Sequence, residues 1–243
     1  MERDFIQFKK DIAEFKIELS DEQLQQFMDY YELLIEWNEV MNLTAITDFD
    51  EVVKKHFVDS LSLIKAVPEL HGMGGGSLID VGTGAGFPGI PLKIAFPGLK
   101  ITLLDSLQKR VKFLNEVIGR LGLQDIEAVH GRAEDYAKPG LLREKYDLCV
   151  SRAVANLATL SEYCIPFVKV GGSFISYKSE KAAEELELAK KAVFLLGGEK
   201  GEMVSFQLPE SDLKRNLIIV KKKACTPKKF PRKAGLAAKE PIS

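Results

Sequence analysis

The chain has 243 residues, 46% of them hydrophobic and 28% charged, enough for one α/β domain with an extension or two small domains around a real core. Its three cysteines, Cys149, Cys164 and Cys225, are widely spaced and form no Cys-x-x-Cys pair, which argues against disulfides and metal and fits a reducing cytoplasm. The formal net charge of -1 hides an asymmetry: residues 1–50 carry 13 acidic and 4 basic side chains and residues 221–243 carry 8 basic and 1 acidic, and a basic end on a near-neutral body suits a polyanionic partner.

The start, Met1-Glu2-Arg3-Asp4, is charged and leads into no apolar segment long enough for a signal or a membrane span, so a soluble, unanchored protein is expected. Ser20 and Gln23 form a capping-box start, and Leu24, Phe27, Met28, Tyr31, Leu34 and Ile35 follow at helical spacing. The opposite face, with Asp21, Glu22, Asp29, Glu32, Glu36 and Glu39, should repel nucleic-acid phosphates. Residues 37–44 read as a break. Asp48 and Glu51 then announce a second helix over Val52–Val67, on which His56, Asp59 and Ser60 share one stripe. That trio is either a self-satisfying His–Asp pair at a junction or a contact to cofactor or substrate, and a single histidine argues against metal. Residues 1–70 thus read as a helical extension packed on the core, and His71–Gly76 as a connector.

From residue 77 strands and helices alternate: strands at 77–81, 99–104, 125–130, 146–150 and 172–177, and helices at 88–95, 107–121, 156–169 and 180–196. Such alternation means a parallel sheet covered on both faces. Two final strands, 201–207 and 217–221, lack an intervening helix and suggest an antiparallel hairpin edge. A Rossmann-like domain over 71–223 and a basic, extended tail over 224–243 complete the expected organisation.

The turn after the first strand, Asp80-Val81-Gly82-Thr83-Gly84-Ala85-Gly86-Phe87-Pro88-Gly89, leaves backbone N–H groups uncovered, as a nucleotide-type cofactor loop requires. Its Gly-x-Gly-x-Gly pattern puts Phe87 where a dinucleotide site needs a third glycine, whereas S-adenosylmethionine, lacking phosphate, needs only the tight turn at Gly82, Gly84 and Gly86. A glycine-rich turn without a ligand is the bland alternative. Asp105, at the end of the second strand, stands where a ribose diol is held, or it caps the next helix. Beyond the third strand, the backbone of Ala133 and Glu134 can read an adenine edge; the alternative, an acidic helix N-terminus favoured by the dipole, explains Glu134 and Asp135 but not Arg132.

The fourth strand leads into Ser151-Arg152-Ala153, placing Arg152 beside a methyl donor. Neither an Asn/Asp-Pro-Pro-aromatic run nor a cysteine nucleophile occupies that place, and Cys149 reads as a core residue. An acceptor that is already a nucleophile, such as guanine N7, fits this lack. Catalysis then rests on positioning, with no catalytic base assigned and Arg152 the nearest candidate. Arg132, Arg152, Lys178 and Arg215 are expected to touch RNA, with Lys228 and Arg232 from the tail; the alternatives are solvated or ion-paired side chains and a disordered, solubilising end.

Together Asn42-Leu43-Thr44, the glycine loop, Gly131-Arg132-Ala133-Glu134, Ser151-Arg152-Ala153 and Pro231-Arg232-Lys233-Ala234-Gly235 resemble the bacterial small-subunit rRNA guanine-N7 methyltransferases of the RsmG family, first named glucose-inhibited division protein B. The resemblance implies a Rossmann-like class I S-adenosylmethionine-dependent methyltransferase fold and methylation of guanine N7 in the 530 loop of 16S ribosomal RNA (rRNA position 527). It also implies cofactor contacts at Gly82, Phe87, Ala133, Glu134 and Arg152, with 16S rRNA or an assembling small subunit as partner. Where the family commonly has Leu-Lys-Gly, this chain has Tyr177-Lys178-Ser179. The rival readings are a methyltransferase for another RNA, a small molecule or a protein, and an NAD-dependent enzyme or nucleotide-sensing module.

Overall fold

The computed structural model describes residues 4–242, and the charged start Met1–Arg3 lies outside the described residues. Helix α1 (Ile6–Ala13) precedes α2 (Asp21–Met41), which starts at the expected capping box: Ser20 Oγ accepts from the Gln23 N–H and Gln23 Oε1 from the Ser20 N–H. The expected break at 37–44 is corrected at its start. The helix continues through Met41 and stops at Asn42, whose left-handed φ of 51° and N–H bond to Asn38 O terminate it.

The expected single helix over Val52–Val67 is a composite. It opens with α3 (Phe49–Val52), capped by Asp48, and widens into a π-helical turn over Val53–Val58. It then passes through α4 (Asp59–Leu61) into a 3-10 turn over Ser62–Lys65. A π turn inserts an extra residue and re-aims the side chains around it.

Next come β1 (Ser77–Val81), α5 (Gly89–Ala95), β2 (Lys100–Asp105), α6 (Gln108–Arg120), β3 (Ile126–His130), α7 (Ala133–Tyr136), β4 (Tyr146–Arg152) and α8 (Leu157–Cys164). The chain finishes with β5 (Val168–Lys178), α9 (Ala182–Leu195), β6 (Glu202–Gln207), β7 (Lys214–Lys221) and α10 (Leu236–Lys239). The sheet order is β3-β2-β1-β4-β5-β7-β6; the first five strands run parallel, and β7 and β6 form the expected antiparallel hairpin edge. Strand order reverses between β1 and β4, and in open α/β sheets the crevice at that reversal is where ligands bind.

The N-terminal helices, α5 and α6 share one hydrophobic cluster on one face of the sheet, and α8 and α9 form a second on the other. Two glutamines of α2 cap helix C-termini that would otherwise leave carbonyls unpaired: Gln23 Nε2 donates to Ile94 O (2.6 Å) and Gln26 Nε2 to Leu121 O (2.9 Å). Rings of Phe8, Phe27, Phe57, Tyr30 and Phe87 run from α1 to the glycine loop with successive centroids 4.9–5.6 Å apart, and the Tyr30 hydroxyl donates to Ala85 O. The extension therefore holds the loop in place.

The tail is not extended. Arg143 donates to the carbonyls of Thr226, Pro227 and Phe230, Phe230 enters the second core cluster, and Lys222, buried and paired with Glu144, is withdrawn from solvent. Local sequence carries no sign of this docking because single side chains distant in sequence make it. Among the described residues no helix is long and apolar enough to cross a membrane, and no group of three metal-ligating side chains is present.

Candidate active site

Two cavities adjoin at the C-terminal ends of the strands. The first, about 290 Å³, is lined by Val81, Gly82, Leu104, Ser106, Gly131, Arg132, Ala133, Glu134, Val154, Tyr163 and Gly235. The second, about 440 Å³, is bordered by Lys55, His56, Asp59, Arg152, Lys178 and Arg215, with Ala153, Tyr177 and Glu185 among its other walls. Ala153 faces one cavity and Val154 the other, so the loop after β4 is the partition. Ala153 adopts φ 57°, an unusual conformation for a residue with a side chain and one that recurs at functional sites.

Of the expected cofactor residues, Gly82, Ala133 and Glu134 line the first cavity. Gly82 takes φ +71°, and a Cβ there would stand 2.6 Å from Val154 Cγ2. Gly84 has φ +64°, but a Cβ added to it would meet no atom within 4 Å, so a side chain there strains the turn without obstructing any wall. Asp105 is 2% exposed: its carboxylate accepts the N–H groups of Gly84 and Leu107, both at 2.9 Å, with Arg110 Nη1 at 3.4 Å. It ties the glycine loop to the start of α6, and the neighbouring Ser106 is the residue that reaches the cavity.

Asp80 anchors the other end of the loop. Its Oδ2 accepts from Thr83 Oγ1 (2.6 Å) and the Gly89 N–H (2.9 Å), while Oδ1 is buried without a partner. Burial, opposed by those two hydrogen bonds, pushes its carboxyl up to about 6.

Phe87 lines neither cavity. Its ring stacks on His56 at 4.5 Å, and the Arg152 guanidinium lies over it at 5.1 Å. Arg152 Nη1 donates to Asp59 Oδ2 and Arg215 Nε to Asp59 Oδ1, each at 2.7 Å, and Arg152 Nη2 lies 3.3 Å from His56 Nδ1. His56 and Asp59 therefore meet on Arg152 rather than on each other, and Ser60 leaves the group, bonding its own helix at His56 O. Burial, with Arg152 beside it, pulls His56 down to about 4, so the imidazole is neutral at physiological pH.

Lys178, expected on RNA, is held by Ala155 O (2.7 Å) and Glu185 (2.8 Å), and Glu185 also accepts from the Leu157 N–H; together they pin the partition loop to α9. Arg232, also expected on RNA, has its guanidinium gripped by Glu162, whereas Arg132 and Lys228 are exposed. Ser106, Tyr163, Glu185 and Gly235 escaped the sequence reading. Ser106 was signalled by its place after the second strand and Gly235 by the Pro231–Gly235 motif; Tyr163 and Glu185 carry no local signal.

The two shifted groups give pH effects of opposite sign. Between about 4 and 6.5 the folded chain binds fewer protons at His56 than the unfolded chain, so that contribution to stability grows with pH; Asp80 binds more when folded between 3.8 and about 6, so its contribution falls as pH rises. Each spans up to about 3 kcal/mol. Asp80→Asn is therefore expected to gain stability relative to the parent as pH rises from 4 to 6.5, measured by urea unfolding without cofactor. A difference independent of pH would contradict the raised carboxyl.

A family model described as rRNA small subunit methyltransferase G matches residues 23–218. A relative from Lachnoclostridium phytofermentans bearing the name ribosomal RNA small subunit methyltransferase G is 54% identical over 99% of this chain and 98% of its own. One of the same name from Acetivibrio thermocellus is 54% identical over 94% and 93%. Among solved structures, a candidate S-adenosylmethionine-dependent methyltransferase from Methanococcus maripaludis superposes with TM-score 0.55 over 80% of this chain and 92% of its own at 18% identity, a likeness of fold.

Proposed function

Because the chain belongs to the rRNA small subunit methyltransferase G family and is an S-adenosylmethionine-dependent methyltransferase, we propose that it methylates N7 of one guanine in the 530 loop of 16S ribosomal RNA, in the cytoplasm. The first cavity is the donor site in this reading and the second the acceptor site. The donor set suits the cofactor: apolar walls at Val81, Leu104 and Val154 for the adenine faces, backbone at Ala133 and Glu134 for its edge, and hydroxyl and carboxylate groups at Ser106 and Glu134. When bound there, S-adenosylmethionine supplies an electrophilic methyl group on a sulfonium sulfur.

The observation that carries the N7 reading is that the second cavity offers no strong base: its carboxylates are held by cations, and His56 is pulled down to about 4. Asp59 is shared by Arg152 and Arg215, Glu185 is paired with Lys178, and the neutral imidazole of His56 lies against Arg152 and Thr44. Guanine N7 has a free lone pair and no proton to lose, so its attack needs alignment and no base. Arg152 and Arg215 supply cationic donors for phosphate or guanine O6, and Asp59 fixes their directions. An RNA segment of the loop carrying 7-deazaguanosine in place of guanosine should accept no methyl while the unmodified segment does. Equal incorporation into both would exclude N7.

A further inference from the structure

The anchors of the C-terminal segment include Glu134, a lining residue of the first cavity. Arg232 donates to the carboxylate of Glu162 on α8 through Nε (3.0 Å to both oxygens), Nη2 (2.7 Å) and its backbone N–H (2.7 Å), and Glu162 is 1% exposed. Three residues on, the Gly235 N–H donates to Glu134 Oε1 at 2.7 Å, and Gly235 itself lines the cavity. Thr159 Oγ1 then holds Ala237 O at 3.1 Å.

From these contacts we infer that residues 232–237 are the outer wall of the donor cavity, a binding element for S-adenosylmethionine that acts through the Gly235–Glu134 contact. The inference rests on the donor-site reading above. Arg232 is a positioning residue. A buried carboxylate on α8 fixes its guanidinium, the guanidinium fixes the strap, and the strap supplies the donor that orients Glu134. If the strap is released, Glu134 loses that donor and the cavity loses a wall, so cofactor binding must first order the segment and affinity falls. Lys228, Lys229 and Lys233 remain exposed on the same segment, where RNA phosphates can reach them without displacing the anchor.

The test is calorimetric titration with S-adenosylhomocysteine. Arg232→Met combined with Glu162→Gln removes the guanidinium bonds of the tether without leaving a buried unpaired charge, and its Kd is expected to rise at least about tenfold. Arg232→Lys, which keeps the charge and loses the fork, should fall between parent and double variant. A double variant within about twofold of the parent would overturn the inference while the donor reading stands. In the parent itself, which needs no refolded variant, S-adenosylhomocysteine should slow tryptic cleavage after Lys228, Lys229 and Lys233 at least about fivefold, and unchanged cleavage would also overturn it. A parent that binds no S-adenosylhomocysteine would instead remove the donor reading, and this inference with it.

Discussion

Asp59→Ala is expected to lower kcat/KM for methyl transfer to RNA at least about 100-fold, equivalent to about 2.7 kcal/mol of transition-state stabilisation, while S-adenosylhomocysteine affinity stays within about threefold of the parent. The carboxylate is 4% exposed and holds Arg152 and Arg215 at 2.7 Å each. Without it two partly buried guanidiniums are left side by side at the second cavity, uncompensated, and breaking such a pair costs about 3–5 kcal/mol. Both arginines must then turn toward solvent, away from the directions in which Asp59 now holds them. Single-turnover kinetics on RNA beside calorimetry on S-adenosylhomocysteine separates this from general unfolding. An equal loss in both measurements would place Asp59 in the support of the whole site.

Gly82→Ala is expected to weaken S-adenosylhomocysteine binding by about 30-fold or more, and Gly84→Ala by clearly less. Both glycines have positive φ, where an L side chain costs roughly 1–2 kcal/mol, so strain alone does not separate them. The surroundings do. The added methyl at Gly82 would press on Val154 at 2.6 Å and push a wall residue of the first cavity, whereas at Gly84 it would meet nothing within 4 Å. Calorimetry on the two variants checks the order, and a larger loss at Gly84 would contradict this placement of the cavity.

The sheet was legible because its buried parallel strands are mostly apolar runs: Leu78–Val81, interrupted by Asp80 and closed by a glycine turn, and Ile101–Leu104, interrupted by Thr102. That Gly82, Ala133 and Glu134 gather at one cavity was legible for the same reason, since strand ends dictate where they stand. Asp105 shows the limit: its place at the end of β2 was right, yet only the structure shows its oxygens engaged by the Gly84 and Leu107 amides. The acceptor cavity depends on geometry that residue spacing does not encode. A π turn at Val53–Val58 lies within the stripe that carries His56 and Asp59, and Arg215 reaches Asp59 across 156 residues. In the tail, a count of positive charges could not distinguish exposed Lys228 from Lys222, which is 1% exposed, or from Arg232, gripped by Glu162.

The central claim, methyl transfer to one guanine N7, is tested most directly on small ribosomal subunits and 16S rRNA isolated from cells lacking this activity. After incubation with the protein and methyl-labelled S-adenosylmethionine, borohydride reduction and aniline cleavage report N7-methylguanine position by position. The expected result is one new cleavage, in the 530 loop, with label in the same fragment. Label elsewhere in the RNA, or label in the loop that aniline does not cleave, would contradict the claim.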